Sequence, residues 1–281
     1  YGDHRDLHLS LRRQRQMCIR DRKMIAMMLT LSMLAASLAG CAGGDDDWDA
    51  DDAASDVSVV WVESGWDPII PNLNAGEMCD VIISAMTKTD ARDQVVDFTR
   101  AYYTSSQGVI GGTGSAAISD VSELNAAGIT VGVQSGTTSD IFANGDADNM
   151  ANLGDATISA YEDFPSVIAA LNNGDVMYAL GDAPVLSLEG TLMTQFSDEN
   201  FGFAVREDSG ELLDALNMAI GAVVDSGEYD TIFQASFDGA AVLADDTTAD
   251  TATAYPASPS EGSTLTAVLE SGQLKICTDP F

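Results

Sequence analysis

The sequence predicts an α/β protein with largely parallel sheets. From Val57 onward, short apolar segments typical of strands alternate with segments that have helical patterning. Three of these predicted strands are followed by polar groups, in the loops 87–92 and 135–138 and at Asp182. Ligands of open α/β sheets gather at the carboxyl ends of strands, where loops and helix N-termini present N–H groups. We therefore expect these three positions to form one binding site.

The strands and helices follow one another closely along this region. Strands are predicted at 57–63, 80–84, 129–134, 176–180 and 201–205, with an extended run at 99–111. Helices are predicted at 69–75, at 166–172 and, with a break near Gly227, at 211–237. The length of this region suits one two-lobed domain or two small ones.

The residues before Val57 predict export. An apolar run at 24–40 follows a basic segment, which is the layout of an export signal, and it is too short to span a bilayer comfortably. It ends in Leu-Ala-Gly-Cys and resembles the lipobox of bacterial lipoproteins, so Cys41 is the predicted lipidation site at the end of a signal covering 24–41. The alternative is a buried helix that happens to end in Cys.

Two further N-terminal segments have no predicted fold. The Gly- and Asp-rich segment 42–56 buries nothing and is interpreted as an acidic tether. Residues 1–23 lie upstream of the candidate initiator Met24 and are interpreted as a leader foreign to the natural protein.

The charge of the exported part excludes several partners. After Cys41 the chain has five Lys and Arg against 41 Asp and Glu, a formal charge of −36. The electrostatic field of this negative charge repels nucleic acids and anionic lipid surfaces. The four cysteines have no metal-binding spacing, so we expect no metal and no cofactor. Cys79 and Cys277 are either a disulfide or two buried thiols, and the residues favour thiols.

Arg92 and Asp182 are the candidate ligand-binding charges. Arg92 ends a hydroxyl-rich loop that contains Thr87, and its guanidinium has the donor geometry to hold a carboxylate. The simpler alternative is that Arg92 only offsets the surrounding acidity. Asp182 suits an ammonium group, although many Asp residues at strand ends only cap helices. Together the two residues describe a receptor for a zwitterion.

An ordered set of motifs strengthens this interpretation. The motifs are Trp66-Asp-Pro-Ile-Ile-Pro-Asn-Leu-Asn-Ala-Gly76, Asp80-Val-Ile-Ile-Ser-Ala-Met-Thr-Lys-Thr-Asp-Ala-Arg92, Val96-Asp-Phe-Thr99, Tyr102-Tyr103, Val131-Gly-Val-Gln-Ser-Gly-Thr-Thr138, Ala170-Leu-Asn-Asn-Gly174 and Phe201-Gly-Phe-Ala-Val-Arg206. Over residues 57–237 the chain resembles the polar amino-acid family of extracellular solute-binding proteins that feed ABC importers.

The resemblance implies a two-lobed fold of the type II periplasmic binding proteins. The first lobe would comprise 57–110 and the return segment 200–240, the second lobe 111–199, and a linker would follow at 241–262. The lobes would close about a hinge near 108–114 and 192–201.

The resemblance also implies the roles of the site residues. Arg92 and Thr87, with backbone N–H groups around Thr137 and Thr138, would hold the α-carboxylate of an amino acid. Asp182, with the backbone carbonyl of Ala85, would hold its α-ammonium group.

One departure from the family concerns its opening strand and helix, which are missing ahead of Val57. The segment 263–281 resembles that missing part. It is either the truncated start of a second binding domain or a displaced first strand of this one.

The expected function is therefore an extracytoplasmic, lipid-anchored, monomeric receptor that delivers an amino acid to an ABC permease. A dehydratase of the same fold is one alternative, but it would need an acid/base pair, and the only histidines, His4 and His8, lie in the suspected leader. A sensory input domain is another, although no kinase or membrane segment follows Phe237. We expect no enzymatic activity.

Overall fold

The computed structural model describes residues 57–146, 150–236 and 259–279. They form two five-stranded sheets, each with helices packed on both faces. The predicted two-lobed α/β fold is thereby confirmed. The suspected leader 1–23, the signal 24–41 with Cys41, the tether 42–56 and all but the end of the linker 241–262 lie outside the described residues.

The described elements follow in chain order. The strands are β1 (Ser58–Glu63), β2 (Val81–Ile82), β3 (Asp97–Phe98), β4 (Tyr103–Gly111), β5 (Thr130–Gln134), β6 (Thr157–Tyr161), β7 (Tyr178–Asp182), β8 (Thr194–Phe201), β9 (Ala204–Val205) and β10 (Gln273–Thr278). The helices are α1 (Trp66–Ala75), α2 (Thr138–Asn144), α3 (Phe164–Asn173), α4 (Ala183–Glu189), α5 (Gly210–Asp225), α6 (Glu228–Ser236) and α7 (Thr264–Ser271). Short 3-10 turns occur at Arg92–Gln94 and Val121–Leu124.

The first lobe is built on the sheet with strand order β1-β10-β2-β9-β3. Helices α5 and α7 cover one face, where Leu216 and Leu265 pack against Val81 and Ile276. Helix α1 covers the other face through Ile69 and Leu73. Burying a Leu or Ile side chain contributes about 1.5–3 kcal/mol to the free energy of unfolding. The three helices and the sheet therefore stabilise one another through these contacts.

Strand β10 occupies an interior position of this sheet, although it follows all the other strands in sequence. It lies between β1 and β2 and is parallel to both. The missing first strand of the lobe is therefore supplied from residues 273–278, as the second of the two alternatives for this segment predicts.

A disulfide joins β10 to the segment that leads into β2. Cys277 and Cys79 are bonded, with Cα atoms 5.6 Å apart across a sequence separation of 198 residues. The prediction of two buried thiols was wrong, because the parallel pairing of β10 with β2 brings the two buried side chains within bonding geometry.

The second lobe is built on the sheet with strand order β6-β5-β7-β4-β8. One face packs with α2 around Val131, Val133 and Leu180. The other face packs with α3 and α4, whose Val167 and Leu186 are fully buried. Asp163 is the N-cap of α3, and its side chain accepts a hydrogen bond from the backbone N–H of Ser166, which fixes where this helix begins.

The chain crosses between the lobes twice, at 99–102 and at 202–203. The crossings are hydrogen-bonded to each other, since the N–H of Tyr102 donates to the carbonyl of Phe201 at 2.9 Å and that of Thr99 to the carbonyl of Phe203 at 2.9 Å. Two adjacent extended segments of this kind can bend together, so they are the structural candidate for a hinge.

These crossings correct two predictions. The boundary of the first lobe at 110 is wrong, because β4 begins at Tyr103 and pairs with β7 and β8 of the second lobe. The hinge predicted at 108–114 and 192–201 is also misplaced, since residues 108–111 and 194–201 lie in paired strands. Only the end of β8 adjoins a crossing. Gly108 allows close packing here, because a Cβ at this position would lie 2.7 Å from Leu192 Cδ2.

Within the described part of the chain, no helix has both the length and the apolar character needed to cross a membrane.

We predict that the Cys79–Cys277 bond contributes about 2–5 kcal/mol to the free energy of unfolding, because it closes a long loop in the unfolded chain. Urea denaturation with and without dithiothreitol measures the contribution. The double substitution Cys79→Ser with Cys277→Ser should unfold as easily as the reduced protein and lose its response to the reductant. Equal midpoints for oxidised and reduced wild-type protein would contradict the prediction.

Candidate functional site

The cleft between the lobes lies at the carboxyl ends of four strands. β10 is parallel to β2 in the first lobe and β5 is parallel to β7 in the second, so the loop that follows each strand emerges at the same edge of its sheet. Both edges face a shared cavity of about 40 Å³. Typical ligand pockets exceed about 300 Å³, so the lobes are tightly closed in this arrangement.

All six predicted ligand-binding residues line this cavity. They are Ala85, Thr87, Arg92, Thr137, Thr138 and Asp182. The first three belong to the first lobe and the last three to the second. The structure therefore brings together residues far apart in sequence, although the ligand-binding roles of the six remain predictions.

Arg92 lies at the start of a 3-10 turn after the β2 loop and is only 9% exposed. Its Nη1 donates to the carbonyl of Thr87 at 2.9 Å, and its Nη2 donates across the cleft to the carbonyl of Gly136 at 3.3 Å. Its Cζ lies 5.2 Å from the centroid of the Trp66 ring, within the range of a cation–π contact. This burial argues against a role in offsetting surface acidity.

The surroundings of Arg92 change its pKa. Burial lowers the pKa to about 10, and the nearby charges of Glu199 and Asp182 oppose that shift. The guanidinium is still protonated at neutral pH, so it presents a full positive charge inside the cleft.

Asp182 ends β7 and stands at the N-cap position of α4, but its side chain makes no capping hydrogen bond. Its Oδ1 instead accepts from Nε2 of Gln107 at 2.6 Å. Burial and, secondly, the charge of Glu199 raise the pKa of this carboxyl to about 7, while Gln107 and Arg92 act in the opposite direction. A cation placed beside Asp182 would favour its charged form.

The hydroxyls of Thr137 and Thr138 make different hydrogen bonds. The Thr137 hydroxyl donates to the carbonyl of Gln134 at 2.8 Å and caps α2 by accepting from the N–H of Asp140 at 3.4 Å. The Thr138 hydroxyl accepts from Nε2 of Gln107 at 3.2 Å and donates to Oε2 of Glu199 at 2.9 Å. Thr137 therefore caps the helix, whereas Thr138 belongs to the hydrogen-bond network of the cleft.

Sequence reasoning missed Glu199, a side chain that is 4% exposed. Its Oε2 accepts hydrogen bonds from the hydroxyls of both Thr87 and Thr138, and its Oε1 accepts from Ser197 at 3.2 Å. The residue lies on β8, a strand that the sequence pattern did not reveal. With so many acids in the chain, no sequence signal separated this one from the rest.

Sequence reasoning also missed Asp279, which follows β10 and is 6% exposed. Its Oδ2 accepts from Nε2 of Gln134 in the second lobe at 2.7 Å, and its backbone N–H donates to Oγ of Ser84 at 2.9 Å. Burial raises the pKa of this carboxyl, which Gln134 opposes. The likeness of 263–281 to a first strand was the available signal, because it places this Asp at a strand end.

Acids outnumber bases among the described residues that line the cleft. Arg92 is the one cation among the described residues that line the cavity, and the acids in that lining are Asp182 and Asp279. Glu199 adds a third acid within the same hydrogen-bond network. In the part of the chain that the structure describes, no group of three or more His, Cys, Asp and Glu side chains could hold a metal ion.

Comparison with known proteins relates this geometry to a family. The model for bacterial extracellular solute-binding proteins, family 3, matches residues 48–239. The lysine/arginine/ornithine-binding periplasmic protein of Escherichia coli (strain K12) is 31% identical over 199 residues, which cover 65% of this chain and 73% of the relative.

Solved structures share the architecture. An ancestral arginine-binding protein bound to arginine has a TM-score of 0.62 and 26% identity, with coverage of 75% of this chain and 87% of that one. An ancestral amino-acid-binding protein described as a precursor of cyclohexadienyl dehydratase has a TM-score of 0.61 and 29% identity, with coverage of 73% and 83%.

We predict that the free energy of unfolding decreases as the pH rises from about 4 to 7. The pKa of Asp182 is about 7 in the folded protein, above its ordinary value of 3.8. Between these values the folded state keeps a proton that the unfolded state has released, so stability is lost as the pH rises.

Urea denaturation at several pH values measures this slope. Asp182→Asn should have a smaller slope than wild type, because the neutral amide does not titrate. Asp175→Asn, at an exposed position of the same lobe, is the matched control and should keep the wild-type slope. Equal slopes for Asp182→Asn and wild type would contradict the assignment.

Proposed function

Since this chain belongs to the bacterial extracellular solute-binding proteins of family 3, we propose that it is an extracytoplasmic receptor that binds an amino acid between its lobes and delivers it to an ABC transporter permease. The relatives with named ligands are receptors of this kind, among them the Escherichia coli lysine/arginine/ornithine-binding protein.

The pairing of Arg92 and Asp182 in one cavity carries this proposal. Arg92 comes from the first lobe and Asp182 from the second, and both line the same closed space. A zwitterion offers each of them the opposite charge, so binding is favourable only when the lobes come together around it. The hydroxyls of Thr87 and Thr138 and the carbonyl of Ala85 supply neutral hydrogen-bonding groups beside the two charges.

A cationic amino acid is the proposed ligand class. The acids Asp182 and Asp279 outnumber Arg92 in the lining of the cavity, so a zwitterion with an additional positive charge balances the site better than a neutral one. The names of the relatives support the same class, because one binds lysine, arginine and ornithine and another is bound to arginine.

Binding without turnover is part of the proposal. The relative described as a precursor of cyclohexadienyl dehydratase is itself an amino-acid-binding protein. The two histidines of the chain, His4 and His8, lie outside both the described residues and the family match, so imidazole catalysis in the cleft gains no support. The purified protein should bind its ligand and return it unchanged, as chromatography after incubation would verify.

Isothermal titration calorimetry with the twenty amino acids tests the receptor function. Arg92→Ala should weaken binding of the selected amino acid by about 3 kcal/mol, roughly 100-fold, because the α-carboxylate loses charge-assisted hydrogen bonds. Arg92→Lys keeps the charge but not the planar fork of donors, so its affinity should lie between those of wild type and Arg92→Ala. Circular dichroism of each variant checks that it is folded. No heat of binding for any amino acid, or full affinity in Arg92→Ala, would refute the proposal.

Anchoring to the membrane by lipid on Cys41, and a monomeric state, complete the proposal. We expect cells that express the exported chain to incorporate radiolabelled palmitate into it, because the Leu-Ala-Gly-Cys motif matches a lipobox. Cys41→Ser should abolish the label and release the protein into the soluble fraction, whereas Cys18→Ser should leave the label unchanged. Label retained in Cys41→Ser would contradict the anchor.

A further inference from the structure

We propose that Glu199 is an internal competitor for the α-carboxylate of the ligand, so that binding exchanges one carboxylate for another. This inference rests on the proposed function, and it concerns a residue to which neither the sequence motifs nor the family match assigns a role. Its carboxylate accepts hydrogen bonds from Thr87 and Thr138, the two hydroxyls that stand beside Arg92 and the α2 turn in the cleft.

The hydrogen-bond capacity of threonine makes the two carboxylates mutually exclusive. A Thr hydroxyl has one proton to donate. In this closed arrangement Thr87 and Thr138 both donate that proton to Oε2 of Glu199. A ligand carboxylate held by either hydroxyl must therefore displace Glu199 from it.

The electrostatic environment of Glu199 is also that of a bound anion. Among the charges that act on the pKa of Arg92, Glu199 has the largest effect and Asp182 the second. Arg92 in turn donates to the carbonyl of Thr87, the residue whose hydroxyl holds Glu199. The Glu199 carboxylate thus occupies the part of the cleft where the guanidinium attracts an anion.

The backbone of β8 keeps this competitor close to the site. The N–H of Lys88 donates to the carbonyl of Asn200 at 2.8 Å, and Thr87 forms an isolated antiparallel bridge with Phe201. Glu199 stands two residues before Phe201, where the chain crosses to the first lobe. It therefore belongs to the second lobe, yet its partner Thr87 belongs to the first, so this contact joins the lobes together with those of Arg92 to Gly136 and of Gln134 to Asp279.

The cavity of about 40 Å³ is consistent with this role. Its volume is far below that of a typical ligand pocket, so a whole amino acid enters only if side chains move or the lobes open. Retraction of Glu199 would free both hydroxyls and the space beside Arg92 in one movement. The affinity of the receptor would then be set partly by the cost of that retraction.

The experiment compares Glu199→Gln with wild type by calorimetry, using arginine and agmatine as probes. Agmatine has the guanidinium side chain of arginine but no α-carboxylate. Because a neutral amide competes less well beside Arg92, arginine should bind at least about 10-fold more tightly to Glu199→Gln. The affinity for agmatine should be the same in Glu199→Gln and in wild type. Asp198→Asn removes the same charge from the adjacent, exposed position and should leave both affinities at the wild-type values.

Weaker arginine binding by Glu199→Gln would overturn the proposal, because it would identify Glu199 as a partner of the ligand's positive charge. An equal gain for arginine and agmatine would also overturn it, since competition acts only on the α-carboxylate.

Small-angle X-ray scattering of the protein without added amino acid supplies a second measurement that needs no ligand. Glu199→Gln should have a larger radius of gyration than wild type, because one contact between the lobes is weakened, whereas Asp198→Asn should match wild type. An unchanged radius would refute the closing contact. If no amino acid binds either protein but the radius still increases, the receptor function fails while the contact between Glu199 and the two hydroxyls stands.

Discussion

The position of β10 between β1 and β2 is the constraint on which the first lobe depends. Without it, β1 would have no partner among the described strands, and β2 would lose its parallel neighbour. The strand also carries Cys277, which fixes the segment before β2, and leads to Asp279 in the cleft. One displaced strand thus completes a sheet, anchors the strand before the Thr87 and Arg92 loop, and supplies a carboxyl group to the site.

The cleft shows how a buried guanidinium is tolerated. Removing a charge from water costs several kcal/mol unless opposite charges and hydrogen bonds replace the lost hydration. Arg92 meets this requirement through two backbone carbonyls, the Trp66 ring and the acids Glu199 and Asp182. Burial and, secondly, the charge of Glu199 outweigh the effect of this arginine on Asp182, which explains why the pKa of that carboxyl is raised even though an arginine is near.

Sequence reasoning was most successful where a residue type and a strand end coincided. Arg92, Thr87 and Asp182 could be identified because parallel strands bring their carboxyl ends to one edge, and a lone Arg among acids stands out. Glu199 could not be identified, because β8 is a partly exposed strand with mixed polarity and its acid looks like many others. Gln107 was hidden for a related reason, since it lies in the middle of β4 rather than at an end.

Long-range pairing was the other limit of prediction. The resemblance placed the hinge near 108–114 and 192–201, but the pairing of β4 with β7 and β8 fixes most of these residues inside a sheet. The disulfide could not be deduced for the same reason, because only the insertion of β10 brings Cys277 to Cys79. Local composition does not determine which distant strands pair with each other.

Strand β10 also has a consequence for the order in which the two lobes fold. Contacts between residues as distant as the 198 positions that separate Cys79 from Cys277 form slowly, because a long chain must first close on itself. During synthesis the sheet of the first lobe lacks this strand until residue 278 has left the ribosome, and its disulfide forms only in an oxidising environment. All five strands of the second sheet lie between residues 103 and 201, so the second lobe can complete its sheet before the first lobe does.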